Sequence, residues 1–129
     1  MVAKSPSKNR QKIRFLLVGG TNTAIDFGLL FILNTLGLPR VPSNIISTGV
    51  AFIFSFFANR NFTFSANSGN IKKQMTLFII VTLFGLWVIQ PIIISLISNL
   101  LVGKIIATAV TLVWNYLFYS RLVFKKEAK

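Results

Sequence analysis

The sequence contains no cysteine and no histidine. The first absence excludes disulfides, thiolate metal sites and a thiol nucleophile. The second removes the most common general base and the most common metal ligand. Acids are almost as scarce, with Asp26 and Glu127 the only two. Paired carboxylates of the kind that cleave or transfer sugars, and acid clusters that hold divalent metals, cannot be built from one acid near the start and one near the end. There is also no glycine-rich loop closing on Lys and Ser or Thr. Gly19-Gly20 opens no such pattern. The expectation is a protein with no metal, no cofactor and no catalysis of its own.

What is present is apolar. Hydrophobic residues make up 53% of the chain and charged residues 12%, against about 25% charged in an ordinary soluble domain. Mean hydropathy is +0.71. So few charges cannot cover that much apolar surface in water, and lipid is the solvent that suits the composition. At 129 residues the chain has the length of one domain, expected to span 1–129.

Four apolar runs stand out, at approximately 13–38, 44–64, 75–97 and 105–124. Each is close to the ~20 residues that cross a hydrocarbon core as a helix. A helix also satisfies its own backbone polar groups, which lipid requires. The predicted fold class is all-α: a polytopic membrane protein of four transmembrane helices arranged as two helical hairpins. Residues 1–12 read as a basic, flexible tail, without the short apolar core and cleavage site of a signal peptide. Pro39 to Ser43, with two prolines after Gly37, reads as a tight turn. Residues 65–74 read as a polar loop and 98–104 as a short turn. Pro91 falls inside the third run and is expected to kink it.

The charge is strongly lopsided, fourteen Lys and Arg giving a net +12. Nucleic acid is not the implied partner, because the basic residues flank the apolar runs. With four spans, the two tails and the 65–74 loop share one side. That side holds twelve of the fourteen basic residues; Arg40 and Lys104 lie on the other. The bias places both termini in the cytoplasm and suits an anionic leaflet or lipid headgroup.

The two halves show a faint repeat: Asn59, Arg60 and Phe64 close the second run, and Asn115, Arg121 and Phe124 close the fourth. If the halves are equivalent, they are parallel repeats about an axis along the membrane normal.

A few polar residues interrupt the apolar runs. Asp26 is the only acid within them, and an ionised carboxylate in lipid must be paired, protonated or turned to a polar cavity. Asn22 lies one turn earlier on the same face. Two readings stand: a site for substrate hydroxyls or a coupling proton, or an interhelical lock. Arg60 and Arg121 are expected at cytoplasmic helix ends, where a guanidinium serves either as a planar phosphate ligand or as a topological anchor. Asn59 and Asn115 add hydrogen-bonding groups at that depth. Gln90, beside Pro91, is an interior polar group of the same kind. Ser47, Ala51 and Ser55, and Thr108 and Thr111, read as close helix contacts. Tyr116 and Tyr119 fit an interfacial aromatic belt.

Three segments resemble a known family. Phe15-Leu-Leu-Val-Gly-Gly-Thr-Asn-Thr-Ala-Ile-Asp26-Phe is similar to the opening of the GtrA-like family. Ser55-Phe-Phe-Ala-Asn-Arg-Asn-Phe-Thr-Phe64 and Asn115-Tyr-Leu-Phe-Tyr-Ser-Arg-Leu-Val-Phe124 are similar to the ends of its second and fourth helices. The resemblance implies a bacterial cytoplasmic-membrane protein of cell-surface polysaccharide synthesis, with a polyprenyl-phosphate sugar lipid as its partner. Carried over, it makes Asp26, Asn59, Arg60, Asn115 and Arg121 the site candidates, to which Asn22 and Gln90 are added from the residues themselves.

Three functions are then in view. In a flippase, Arg60 and Arg121 capture the lipid phosphate while Asp26, Asn22 and Gln90 offer the sugar a polar path; so small a bundle encloses little volume, which favours a homodimer. In a non-catalytic subunit that stabilises or localises a glycosyltransferase, the same polar residues are packing. In a dimeric exporter of lipophilic cations, Asp26 couples to protons, a reading that fits the basic face and the resemblance poorly.

Overall fold

The computed structural model describes residues 7–125. Lys4, Lys126, Glu127 and Lys129, counted above toward charge and topology, lie outside the described residues. Four helices are long and apolar enough to cross a membrane: α1 (Lys8–Thr35), α2 (Arg40–Thr63), α3 (Ile71–Leu96) and α4 (Leu100–Val123). No strand occurs among the described residues. The architecture is the predicted all-α membrane protein.

The chain divides into two compact units, Met1–Asn67 and Ser68–Lys129. In the first, α1 packs along α2. In the second, α3 packs along α4.

Helix ends depart from expectation in ways local chemistry explains. The basic tail is shorter than expected, because α1 begins at Lys8 with the Ser7 hydroxyl accepting from Arg10 N–H. It ends before Gly37, whose φ of 102° is the left-handed conformation of a helix terminus. Gly37 N–H bonds to Asn34 O and Leu38 N–H to Leu33 O, each at 3.1 Å, the pair that closes a Schellman motif.

The Pro39–Ser43 turn is not a turn throughout. α2 already starts at Arg40, so Pro42 sits in its first turn, where the missing N–H would have had no partner anyway. α3 and α4 likewise begin earlier than the apolar runs suggested. Asn70 Oδ1 accepts from Lys72 and Lys73 N–H, and Asn99 Oδ1 from Val102 N–H.

Three of the helices contain a π-helical turn: Asn59–Thr63 in α2, Gly85–Ile89 in α3 and Tyr119–Val123 in α4. The one in α3 directly precedes Gln90-Pro91. Gln90 N–H reaches back five residues to Gly85 O, so the irregularity expected at Pro91 takes the form of a widened turn ahead of the ring.

Both units bury a stripe of small and polar residues. On α2 it is Ser43, Ser47, Ala51, Asn59 and Thr63. On α4 it is Gly103, Ala107, Thr111, Tyr119 and Val123, and Thr108 faces outward. Each position of one stripe is sixty residues from its counterpart in the other. The repeat therefore holds with Phe64 and Phe124 equivalent as expected, but without the expected match of Asn59 and Arg60 to Asn115 and Arg121. Asn59–Thr63 corresponds to Tyr119–Val123, so Arg60 pairs with Ser120 and Arg121 with Asn61. The closing bonds agree: Phe64 N–H to Asn59 O at 2.9 Å, and Phe124 N–H to Tyr119 O at 2.8 Å.

Large apolar side chains such as Phe31, Leu36, Trp87 and Leu96 remain mostly exposed. In water these helices would aggregate; in a bilayer they are solvated.

Candidate functional site

Asn22, Asp26, Asn59 and Arg60 belong to the first unit. Gln90, Asn115 and Arg121 belong to the second.

In the first unit, Asp26 sits where α1 meets the small stripe of α2. Its Oδ1 accepts from the Ser47 hydroxyl at 2.8 Å and from the Thr48 hydroxyl at 3.3 Å. Ser47 is fully buried. The carboxylate is thus an interhelical lock through one oxygen, while Oδ2 has no hydrogen bond among the described residues. The two readings of Asp26 divide between its two oxygens.

One turn earlier, the Asn22 carbonyl oxygen is buried and unpartnered. Asn59, 2% exposed, donates its amide to Ser55 O at 2.9 Å and to Ser55 Oγ at 3.2 Å, leaving its own Oδ1 unpartnered. Thr63 Oγ1, one turn further on, is also buried without a partner. The second unit shows what these positions do when satisfied. Sixty residues on from Asn22 and Asn59 stand Thr82 and Tyr119, whose hydroxyls hydrogen-bond to each other. Tyr119 does not turn its ring outward as a residue of an aromatic belt would: it is buried, stacked on Phe78 with ring centroids 4.7 Å apart. By the repeat, Asn22 and Asn59 present two carbonyl oxygens at the place where the second unit has a closed hydroxyl pair.

The π turn Asn59–Thr63 carries Arg60. Arg60 Nη2 donates to Asn67 O at 2.8 Å, and Nη1 reaches Asn61 Oδ1 at 3.5 Å. The segment folds back because Ser65 adopts φ 49° and Ala66 N–H returns to Arg60 O at 2.7 Å. From α1, Arg14 Nη1 donates to Phe62 O at 3.0 Å, with its guanidinium over the Phe62 ring, 4.5 Å from the centroid. Two guanidiniums are thereby fixed to one short segment through backbone carbonyls. The sequence counted Arg14 only as a topological charge. Nothing local marked it as a partner of the Phe62 carbonyl, because the contact joins residues 48 apart in the chain.

In the second unit, the Asn115 carbonyl oxygen is buried and unpartnered. It lies near Gly85, where an added Cβ would stand 2.9 Å from Thr111 Cγ2 and 3.5 Å from Asn115 Oδ1. Gly85 is what allows α3 to approach α4 this closely. Arg121 is exposed and makes no hydrogen bond among the described residues, so it is not drawn into a polar cluster within its unit. Gln90 is buried and accepts at Oε1 from Lys104 Nζ at 2.9 Å. In the sequence Lys104 stands out only as a charge. Among the described residues no cluster of groups could hold a metal ion.

Comparison with known proteins bears on both units together. The chain is 30% identical over 120 residues to the uncharacterized membrane protein YngA of Bacillus subtilis (strain 168), an alignment that covers 90% of this chain and 80% of the relative. Residues 14–124 match the family described as GtrA/DPMS, transmembrane domain. That span starts at Arg14 and ends at Phe124, taking in α2, α3, α4 and all but the first residues of α1, with every candidate site residue. The chain is a multi-pass membrane protein and belongs to the GtrA/DPMS transmembrane-domain family.

Proposed function

We propose that the protein moves a polyprenyl-phosphate-linked monosaccharide across the bacterial cytoplasmic membrane for cell-surface polysaccharide synthesis. Family membership supports a role connected with lipid-linked sugars. The observation that carries the reading to a site is the pair Arg14 and Arg60, anchored on the segment from Phe62 to Asn67. A guanidinium has five N–H donors in a fixed plane. Held by neutral carbonyl oxygens, it keeps its full positive charge for a phosphate. By the distribution of Lys and Arg these residues face the cytoplasm, where a lipid-linked sugar would be captured.

The remaining candidates suit the sugar. Asp26 Oδ2 and the carbonyl oxygens of Asn22 and Asn59 are acceptors, and sugar hydroxyls are donors. The hydrocarbon tail stays in lipid beside the exposed apolar faces, so only the head group needs a polar route. No energy source is required when the substrate gradient drives the movement.

Reconstitution tests this directly. Purified protein in liposomes with a labelled polyprenyl-phosphate sugar is expected to equilibrate the label between leaflets, and Arg60→Ala to slow the equilibration by roughly 10- to 150-fold. A folded preparation that moves no label above protein-free liposomes, over several sugars, would replace this reading with that of a subunit supporting a glycosyltransferase.

A further inference from the structure

One face of α4 carries a regular row. Ala109, Val113 and Leu117 recur at every fourth residue, so they follow one another along the same side of the helix. With Val110 and Trp114, and with Ile89 of α3, they line an open groove of about 420 Å³ within the second unit. From Ala109 to Leu117 it runs about 12 Å along α4, at 1.5 Å per residue. Its lining side chains hold a single polar atom, Trp114 Nε1, which is already occupied in donating to Val81 O at 3.0 Å.

Arg121 is the next member of that row, four residues beyond Leu117 and inside the π turn Tyr119–Val123. Each step of the row advances about 40° round an α-helix. The wider π turn shortens the last step, so Arg121 follows Leu117 on the groove side. Tyr119 and Val123 of the same turn are buried, whereas Arg121 is exposed and makes no hydrogen bond among the described residues. Its N–H donors are therefore available to an anion. The equivalent position in the first unit is Asn61, so the π turn itself does not require a cation here. By the distribution of Lys and Arg this is the cytoplasmic end of α4, the level at which the phosphates of that leaflet lie.

We infer that the second unit by itself binds an isoprenoid phosphate, with the phosphate on Arg121 and the first part of the chain in the Ala109–Leu117 groove. The row presents one cation and then one apolar channel; the ligand presents one anion and then one hydrocarbon chain. A two-chain phospholipid would leave its second chain outside. A second copy of the protein does not suit the groove, because a symmetric pair meeting on this face would set one Arg121 against the other in a medium that screens charge poorly. The inference rests on the translocation reading for the identity of the lipid. It adds to that reading a seat for the substrate's chain, which the polar residues leave unassigned.

The test is photolabelling of the full chain in phosphatidylcholine nanodiscs. The probe is a short-chain polyprenyl phosphate with a diazirine in its first isoprene unit, and the label is mapped by mass spectrometry. Wild type and Arg60→Gln are both expected to be labelled between Ala109 and Leu117. Arg121→Gln should raise the probe concentration that half-saturates labelling by roughly 10- to 150-fold, the loss of one charge-assisted hydrogen bond. Arg121→Lys, which keeps the charge without the fork, should raise it less. Val113→Trp should remove the label by filling the groove. Val113 is 59% exposed, so the larger ring should leave the melting temperature unchanged. A polyprenol probe without the phosphate should label wild type and Arg121→Gln alike. Unchanged half-saturation in Arg121→Gln, as a purely topological arginine would give, overturns the site, and so does label found only outside the groove. Loss of the label in Arg60→Gln overturns binding by the second unit alone. Competition by dioleoyl phosphatidic acid equal to that by unlabelled polyprenyl phosphate overturns the single-chain assignment, and crosslinks between two copies through this face overturn the lipid as occupant. The two readings fail separately: a wild type labelled here that moves no lipid in liposomes sinks translocation alone, and a wild type that moves lipid without label in the groove sinks this site alone.

Discussion

The Ser47 hydroxyl lies 2.8 Å from Asp26 Oδ1 and ties the buried face of α2 to the middle of α1. Asn keeps an acceptor oxygen at that place, and Ala keeps nothing. Asp26→Asn should therefore melt within a few degrees of wild type. Asp26→Ala and Ser47→Ala each remove the shorter bond between the helices, while Ser47 keeps Asn44 O and Asp26 keeps Thr48, and should cost about 0.5–1.5 kcal/mol. Thermal melts of the detergent-solubilised protein measure the difference. An Asp26→Asn variant as unstable as Asp26→Ala would mean that the charge, not the hydrogen bond, holds the helices.

Arg60 is expected to matter through both its plane and its charge. Lys at this position retains the charge but cannot bond Asn67 O and a phosphate in one fork. Transport in proteoliposomes should fall for Arg60→Lys and further for Arg60→Ala. The loss of a charged hydrogen bond of about 1.5–3 kcal/mol corresponds to roughly 10- to 150-fold in initial rate. Arg14→Gln should show a smaller loss, because it touches the same segment from one side only. Both losses should shrink as salt is raised, since exposed charge interactions are screened.

Thr63 offers a prediction of the opposite sign. Its hydroxyl is fully buried and unpartnered, a state that costs stability. Thr63→Val removes the unpaired group at nearly constant shape and should raise the melting temperature, by an amount equivalent to about 1 kcal/mol. A fall instead would show that something absent from the chain itself, such as water or substrate, occupies the hydroxyl in the membrane.

The Thr82–Tyr119 hydroxyl pair lends itself to a double-mutant cycle. Thr82→Val and Tyr119→Phe each leave one buried hydroxyl alone and should each destabilise by about 1–3 kcal/mol. The double variant should be less damaged than the two effects added, because no orphan remains. Strict additivity would argue that the two hydroxyls do not depend on each other.

Gly85→Ala should be harmful out of proportion to one methyl group. The new Cβ would meet Thr111 Cγ2 at 2.9 Å, on a stiff β-branched side chain with little freedom to yield. A cost of about 1–3 kcal/mol is expected, and Gly85→Ala combined with Thr111→Ser, which removes that methyl, should recover much of it.

The spans themselves were legible because lipid imposes a length and a composition that few other environments tolerate. Their starts were less so. Ser7, Asn70 and Asn99 are ordinary N-cap residues, and reading them as caps rather than as loop polarity would have placed three helix starts correctly. Pro42 misled because a proline that breaks a helix interior is tolerated in a first turn. The π turns left no trace in the apolar runs, since a run of apolar residues carries no phase. Tyr119 was misread for a related reason: an aromatic ring with a hydroxyl suits an interface and a buried bond equally well, and only the sixty-residue register to Asn59 distinguishes them. Asp26, Asn59, Arg60 and Gln90 could be picked out as unusual. Ser47 and Lys104, the partners of Asp26 and Gln90, could not, nor could Arg14 on the Phe62 carbonyl, because each contact joins two different helices.

The π turn before Pro91 has a consequence for how α3 is aimed. A π turn holds one residue more than the α turn it replaces. If Gly85–Ile89 closed as ordinary α-helix with the same sequence, everything from Gln90 onward would rotate by about 100° relative to Ile71–Phe84, and the Gln90 amide would swing away from Lys104. Deleting one residue from the turn would instead let the ladder close while Gln90 kept its bearing. The surplus residue therefore acts as a phase adjustment between the two halves of α3, and along this stretch losing a residue is gentler than relaxing the turn.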